Sequence, residues 1–467
     1  MKMVNFVHTV LDFKKLSPAQ KIATSFLFVI LAGTILLMLP ISNRDGQFFS
    51  PIDALFTATS ATCVTGLSTV TIADQYNWFG HLVIVLLIQI GGLGLMTFMA
   101  VLILILKNRL SLNEKIVMKE MLNQDKVFDM KKFLLDILRY TLFFEAIGTI
   151  ILSFRMIDDY GPIDGIMKAA FLSVSAFCNA GFDTLGSTSL QGYVHDPLIC
   201  ITIMSLIVLG GLGFAVWFDV RDKLDTLFHR TITFKKFYKS LTLHTKIVLV
   251  VTALLITIPS ALILILEYNN PQTMAGFTFP EKVMSSTFES IALRTAGFTT
   301  INYANITAGT QMLMMVVMFI GGSPGGTAGG IKTTTFAMLV IYMINMLKGR
   351  DNIVVLRRHI ANSTIIRAMG IFFINIVTLL TGIFLLSIVQ PEAFNMISFE
   401  AVSAMATVGS SLGLTSLLNF GGKVIIILLM YVGRIGISTL IISLVKSRHH
   451  GDAKDKINYP DGTIIVG

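Results

Sequence analysis

Four glycines, Gly66, Gly181, Gly297 and Gly409, recur at intervals of roughly 115 residues along the 467-residue chain. Each closes a short stretch of small and hydroxyl-bearing residues. The first is Ala58-Thr59-Ser60-Ala61-Thr62-Cys63-Val64-Thr65-Gly66, and the second is Ser173-Val174-Ser175-Ala176-Phe177-Cys178-Asn179-Ala180-Gly181. The third is Glu289-Ser290-Ile291-Ala292-Leu293-Arg294-Thr295-Ala296-Gly297, and the fourth is Ala401-Val402-Ser403-Ala404-Met405-Ala406-Thr407-Val408-Gly409. An internal period means that each copy is one structural unit. This one is longer than the about 20–50 residues of solenoid repeats, so each unit holds several elements.

Composition sets the solvent of those elements. With 54 % hydrophobic and 13 % charged residues and a mean hydropathy of +0.76, the chain lies far from soluble domains, which carry about 25 % charged residues. Every glycine stretch is bracketed by apolar runs, at 22–39 and 81–106, 137–154 and 198–218, 247–266 and 312–346, and 371–388 and 424–444. Runs of about 20 apolar residues are transmembrane candidates. The expected fold is an all-α membrane protein of four tandem helix–pore loop–helix units around one central pore, with eight transmembrane helices. The units fall at 22–107, 133–219, 246–347 and 365–446, between an N-terminus at 1–21 and a tail at 447–467. The three cysteines, Cys63, Cys178 and Cys200, form neither a disulfide framework nor a metal-ligand spacing.

The net charge of +9 is distributed to one side. Lysines and arginines crowd the N-terminus, the connectors at 107–132, 221–246 and 348–358, and the tail. The segments holding the glycine stretches carry few: Arg44, Arg155, Lys168, Lys282 and Arg294. The positive-inside rule places both termini in the cytoplasm of a multi-pass cell-membrane protein and the glycine stretches outside. The same asymmetry removes nucleic acid as a partner. Residues 1–21 show no cleavable signal.

A small-residue stretch preceded by a segment long enough for a half-helix re-enters the membrane and leaves on irregular backbone. Such backbone is tolerated only where it is buried in protein or lines a wet cavity. A terminal glycine permits dihedrals that turn successive carbonyls to one side. Four such loops ring a cation with carbonyl oxygens and replace its hydration shell, while the negative ends of the half-helices favour cations. The filter candidates are Cys63, Val64, Thr65 and Gly66; Cys178, Asn179, Ala180 and Gly181; Arg294, Thr295, Ala296 and Gly297; and Ala406, Thr407, Val408 and Gly409. The cation contacts are backbone carbonyls only.

Two spans with a pore loop, four times over, resemble the Trk/Ktr/HKT superfamily of potassium transporters, and within it the membrane subunits of bacterial Ktr uptake systems. Thr407-Val408-Gly409 looks like a shortened potassium-channel signature. Asn179-Ala180-Gly181-Phe182 and Arg294-Thr295-Ala296-Gly297-Phe298 are similar to the family's second and third filter loops. The resemblance implies potassium uptake driven by the membrane potential, stimulated in many members by sodium. It also implies a homodimer with one pore per subunit and a cytoplasmic, KtrA-like ring of regulatory subunits that bind nucleotide. No cofactor is expected on this chain itself.

The second helix of each unit has its own repeat: Gly91-Gly92-Leu93-Gly94, Gly210-Gly211-Leu212-Gly213, Gly321-Gly322-Ser323-Pro324 and Gly433-Arg434-Ile435-Gly436. In the first two, small residues are expected to let helices approach closely. The third continues as Gly325-Gly326-Thr327-Ala328-Gly329-Gly330, so ten residues contain one proline and six glycines. A continuous helix is not expected there, and this helix alone is expected to break. A phosphate loop needs adjacent Gly-Lys, whereas Ile331 separates Gly330 from Lys332. The segment resembles the family's intramembrane gating loop, with a rigid kink as the alternative. Arg434, charged inside an apolar span, resembles the family's pore arginine. It deters cations as part of the gate, makes a structural ion pair, or does both. Glu145 serves packing, an ion pair or the pore. Glu289 is placed to pair with Arg294, which would orient the third loop.

The eight histidines are scattered, with only His449 and His450 adjacent, and no triad or ligand spacing suggests an enzyme. A coupled symporter of potassium with sodium or protons is the alternative transporter. Inverted repeats would mark it, whereas all four units here run the same way.

Overall fold

The computed structural model describes residues 18–94, 130–228, 234–350 and 353–436. The N-terminal segment up to 17, most of the connector at 107–132, the ends of the 81–106 and 424–444 runs, and the tail lie outside the described residues.

The first long helix, α1 (Pro18–Met38), stops before Pro40, which cannot continue it. A short helix, α2 (Pro51–Cys63), follows. Proline stands at its first position, where the N–H has no intrahelical partner, and Asp53 lies in its first turn against the positive helix end. Next comes α3 (Trp78–Leu93), begun by the Asn77 side chain accepting from the amides of Phe79 and Gly80.

The same order returns with α4 (Met130–Tyr160), the proline-initiated α5 (Pro162–Phe177) and α6 (Pro197–Gly211), capped by Asp196. Beyond α6, α7 (Phe214–Phe228) and α8 (Phe234–Ser240) lead to α9 (Leu243–Glu267). The third short helix, α10 (Phe279–Ala292), opens with a capping box between Thr278 and Glu281. It is followed by α11 (Ala308–Phe319), a loop, and α12 (Thr333–Leu347). After a minimal antiparallel hairpin, β1 (Val354–Val355) with β2 (Arg358–His359), come α13 (Asn362–Val389), α14 (Phe394–Ala406) and α15 (Phe420–Ile435). Apart from that hairpin, the named elements among the described residues are helical.

Burial is inverted relative to a water-soluble protein. The long helices turn large apolar side chains outward: Phe28, Phe154 and Phe373 are 72, 69 and 69 % exposed. The short helices bury hydroxyls: Thr57, Thr59, Ser60, Ser173, Ser286 and Ser403 are all fully enclosed. This is the pattern of a molecule solvated by lipid around a polar centre. Among the described residues, four helices are long and apolar enough to cross a membrane, at Gln20–Met38, Lys132–Tyr160, Leu243–Glu267 and Asn362–Val389.

The third helix of each set is shorter, and in the first, second and fourth sets a glycine of positive φ stands at or just past its end. α3 ends at Gly94 (φ 80°) and α15 at Gly436 (φ 86°), a backbone conformation that an L side chain resists. Gly213 (φ 89°) breaks the second copy outright, with α6 and the start of α7 bent by 99°. The expectation of one continuous helix over 198–218, and of a single broken helix in the molecule, is therefore corrected. A glycine run needs no proline to break a helix once a positive φ is built into it.

Between lipid-facing helices there is no water to expel, so close packing and hydrogen bonds hold the assembly. Four apolar clusters join neighbouring sets in a closed cycle. Ala58 and Ile84 pack with Phe171 and Phe182, and Leu152 and Ile203 belong with Phe288 and Phe298. Ile263 and Met314 share a cluster with Phe399 and Val408, and Ile426 and Leu429 with Phe56 and Cys63. The last set thus packs against the first.

Candidate functional site

The C-terminal ends of α2, α5, α10 and α14 meet at the four repeated glycines. Gly66, Gly181, Gly297 and Gly409 have φ of 97°, 72°, 69° and 95°. A Cβ on Gly66 would come 2.7 Å from the carbonyl oxygen of Ala180, one on Gly181 2.7 Å from that of Ala296, and one on Gly297 2.6 Å from that of Val408. On Gly409 it would strike the carbonyl of Thr65. Each glycine therefore abuts the residue preceding the next glycine, and the fourth returns to the first. The ring admits no side chain at any of its four corners.

Two positions before each glycine the chain is again left-handed, at Val64 (φ 57°), Asn179 (60°), Thr295 (70°) and Thr407 (52°). Asparagine tolerates this; a β-branched residue is an outlier there and is held only by its surroundings. Part of the hold comes from serines inside the short helices. Ser60 Oγ accepts the Gly66 amide at 3.1 Å, Ser403 Oγ the Gly409 amide at 3.1 Å, and Ser175 Oγ the Phe182 amide at 3.0 Å. In the third copy a carboxylate takes over. Glu289 accepts the Thr300 amide at 2.8 Å, its hydroxyl at 2.7 Å, and the Tyr303 hydroxyl. Glu400 of α14 similarly accepts from Ser411 at 2.6 Å and from Thr415.

Glu289 is thereby occupied, and the expected pair with Arg294 does not form. Arg294, 3 % exposed, reaches the Thr252 hydroxyl at 3.4 Å, while its Nε has no partner among the described residues. The reason is reach: the segment after the glycine returns to α10 and presents three donors to Glu289. Thr65, Thr295, Thr407 and Ser410 bury hydroxyl oxygens that no described group satisfies. Buried polar atoms are ordinarily paired with protein or water, and these four hydroxyls lie in or next to the ring segments. Among the described residues no group of three or more His, Cys, Asp or Glu could hold a metal ion.

A second layer lies under the ring. A Cβ on Gly91 would strike the Thr62 carbonyl, one on Gly210 the Phe177 carbonyl, and one on Gly433 the Met405 carbonyl. The close approach expected of the first two glycine pairs is thus present. In the third copy Gly321 faces the carbonyl of Gly329 instead. The segment between α11 and α12 folds back on itself: the Gly321 amide donates to Ile331 at 2.9 Å and that of Thr333 to Gly322 at 3.0 Å. Ser323 reaches Gly211 at 3.0 Å, and Phe214 reaches Gly325 at 3.0 Å, so Pro324, Gly325 and Gly326 lie against the break at Gly213. Lys332 donates to the Ala328 carbonyl at 2.7 Å, and Gly330 has a φ of 65°.

Arg434 meets this loop. Its guanidinium donates to the carbonyls of Thr327 and Gly91, and to Gly92 at 3.4 Å. No carboxylate pairs with it among the described ion pairs, so of its two expected roles the structural ion pair is absent. Glu145 lies apart, behind the second loop. It is 5 % exposed, accepts from Gln89 at 3.3 Å and lies 3.7 Å from the Cys178 thiol. Sequence reasoning missed the hydroxyl network of Glu400, the hub formed by Thr327, and the ion pair between Lys423 and Asp53. Asp53 at the head of a proline-initiated helix was the only visible signal.

The sequence profile of the TrkH family, described as a cation transport protein, matches residues 5–454 of this chain. The potassium/sodium uptake protein NtpJ of Enterococcus hirae is 40 % identical over 458 residues, 97 % of this chain and 98 % of that one. The Ktr system potassium uptake protein B of Bacillus subtilis is 38 % identical over 458 residues, 98 % of each. The protein of the same name from Vibrio alginolyticus is 37 % identical, covering 96 % of this chain and 94 % of that one. The crystal structure of the potassium transporter TrkH from Vibrio parahaemolyticus superposes with a TM-score of 0.68 at 19 % identity, covering 90 % of this chain and 84 % of that one.

Proposed function

The chain belongs to the TrkH cation transport family, and from that premise we propose that it takes up potassium through a selective, channel-like pore along the axis of the glycine ring. It is a membrane transporter and not an enzyme. The observation that supports the pore most directly is the cyclic contact of Gly66, Gly181, Gly297 and Gly409, each against the carbonyl preceding the next. Carbonyls gathered at the negative ends of four helices replace a cation's hydration shell and repel anions. In this reading the units are 22–107, 133–219, 246–347 and 365–446, both termini are cytoplasmic, and each pore closes at the loop of residues 321–330 with Lys332 and Arg434. A positive charge in a narrow, low-dielectric passage obstructs cations far more than in water.

The relatives' names supply potassium and sodium as cargo, and we extend this to sodium stimulation, a homodimer and a cytoplasmic nucleotide-binding ring that opens the gate. Alternating access in a coupled symporter is disfavoured by the parallel order of the four sets. The test is to replace each ring glycine by serine and measure potassium and sodium uptake at equal membrane expression. Potassium affinity is expected to fall by about tenfold or more, equivalent to about 1.4 kcal/mol, and discrimination against sodium to narrow. Unchanged affinity in all four variants would overturn the filter assignment.

A further inference from the structure

Thr327 is the one residue of the intramembrane loop whose three polar groups all bind outside it. Its amide donates to the Gly210 carbonyl at the end of α6, at 3.3 Å, and its own carbonyl accepts from Arg434. Its hydroxyl lies 3.1 Å from Asn179 Oδ1 and 3.2 Å from the Phe177 carbonyl, and the single hydroxyl proton serves both. Asn179 is a ring residue in the left-handed conformation, 1 % exposed, and its amide nitrogen donates at 3.3 Å to the carbonyl of Arg294 in the next loop. A chain of two hydrogen bonds thus runs from the loop through Asn179 into the third ring segment. A second contact lies opposite, where Gly329 is packed so closely on the Thr407 hydroxyl that a Cβ would overlap it.

We infer that the loop does more than obstruct the path: through Thr327 and Asn179 it sets the geometry of the ring, so that its displacement alters which cation the ring prefers. The inference rests on the gate reading above. Displacing the loop removes at one stroke the hydrogen bond that orients Asn179 and the contact that seats Thr407. Both have positive φ, which Asn179 tolerates and which β-branched Thr407 keeps only by the hold of its neighbours. The buried Asn179 amide must then find a new partner, and the carbonyls on either side of it turn with the peptide planes. Thr327 is a positioning residue for selectivity, acting through Asn179 rather than on the cation.

The test uses the purified full chain in proteoliposomes at a fixed membrane potential, with potassium and sodium fluxes measured separately. Thr327→Val keeps the shape and removes the proton donor. It should raise total flux and lower the potassium-to-sodium ratio by about fivefold or more, the lower end of measured couplings between sites. Thr327→Ser, which retains the donor, should restore the ratio. Asn179→Gly, which tolerates the positive φ, should show the same lowered ratio, and adding Thr327→Val to it should lower the ratio no further. If Thr327→Val raises flux and leaves the ratio unchanged, the loop is a plug without coupling and the inference fails while the gate stands. If Thr327→Val alters neither quantity, the inference also fails, and deletion within 325–329 then decides the gate separately: no gain of flux removes that reading too.

Discussion

Lys423 and Asp53 stand 370 residues apart in the chain, and their side chains meet at 2.6 Å. The pair joins the first turn of α15 to the first turn of α2, at the seam where the fourth set closes on the first. Burial by itself raises the Asp53 pKa, but the hydrogen bonds from Lys423, Thr69 and Ser50 outweigh it and hold the carboxyl below the usual carboxylate range. A depressed carboxylate contributes stability above its unfolded pKa, about 3.9, and that stability is lost as pH falls through the lower folded value. Lys423→Met should cost between about 0.5 and about 3 kcal/mol, the values for exposed and buried pairs. The melting temperature of the solubilised protein should fall at neutral pH. The gap between variant and wild type should close only in strong acid, and a gap that persists there would refute the assignment.

If the loop and Arg434 form one barrier, removing either should open it. Arg434→Ala abolishes the donors to Thr327, Gly91 and Gly92, and shortening the loop within 325–329 withdraws the obstruction. Each is expected to raise potassium flux of the chain alone by about tenfold or more. Together they should add less than their sum, because both remove the same barrier. Isotope uptake into proteoliposomes reads this directly.

Glu289 is fully buried and is the shared acceptor of Thr300 and Tyr303. Glu289→Ala orphans the Thr300 amide and the Tyr303 hydroxyl, at about 1–3 kcal/mol for each buried group left unsatisfied. Glu289→Gln keeps one acceptor oxygen and should lose less. Thermal unfolding in detergent should rank wild type above Gln and Gln above Ala, and potassium discrimination should decline in the same order.

Nucleotide is expected to act through a partner. Gly330 and Lys332 are separated by Ile331, and the Lys332 amine is already bound to the Ala328 carbonyl. Equilibrium dialysis of the purified chain with ATP should show no saturable binding in the micromolar range. Binding of that strength would move nucleotide control onto this chain.

The period of the four glycines, the lipid-facing runs between them and the glycine-rich break at 321–330 were all legible before any coordinates, because each is a local property. Glycine marks a positive φ, a long apolar run marks a bilayer, and proline among glycines ends a helix. The sequence by itself therefore determined the repeating helical order, the membrane as solvent and the positions of the ring glycines. Only the tertiary structure decided who meets whom. That Gly409 returns to Thr65, that Glu289 turns from Arg294 to Thr300 and Tyr303, and that Thr327 ties Arg434 to Asn179 are contacts between residues that one chain order allows in many ways. The bend at Gly213 was equally hidden, because a glycine permits a left-handed turn without requiring one. Choosing among such partners takes the packing of helices distant in the chain, where at the four glycines backbone approaches backbone too closely for any side chain to intervene.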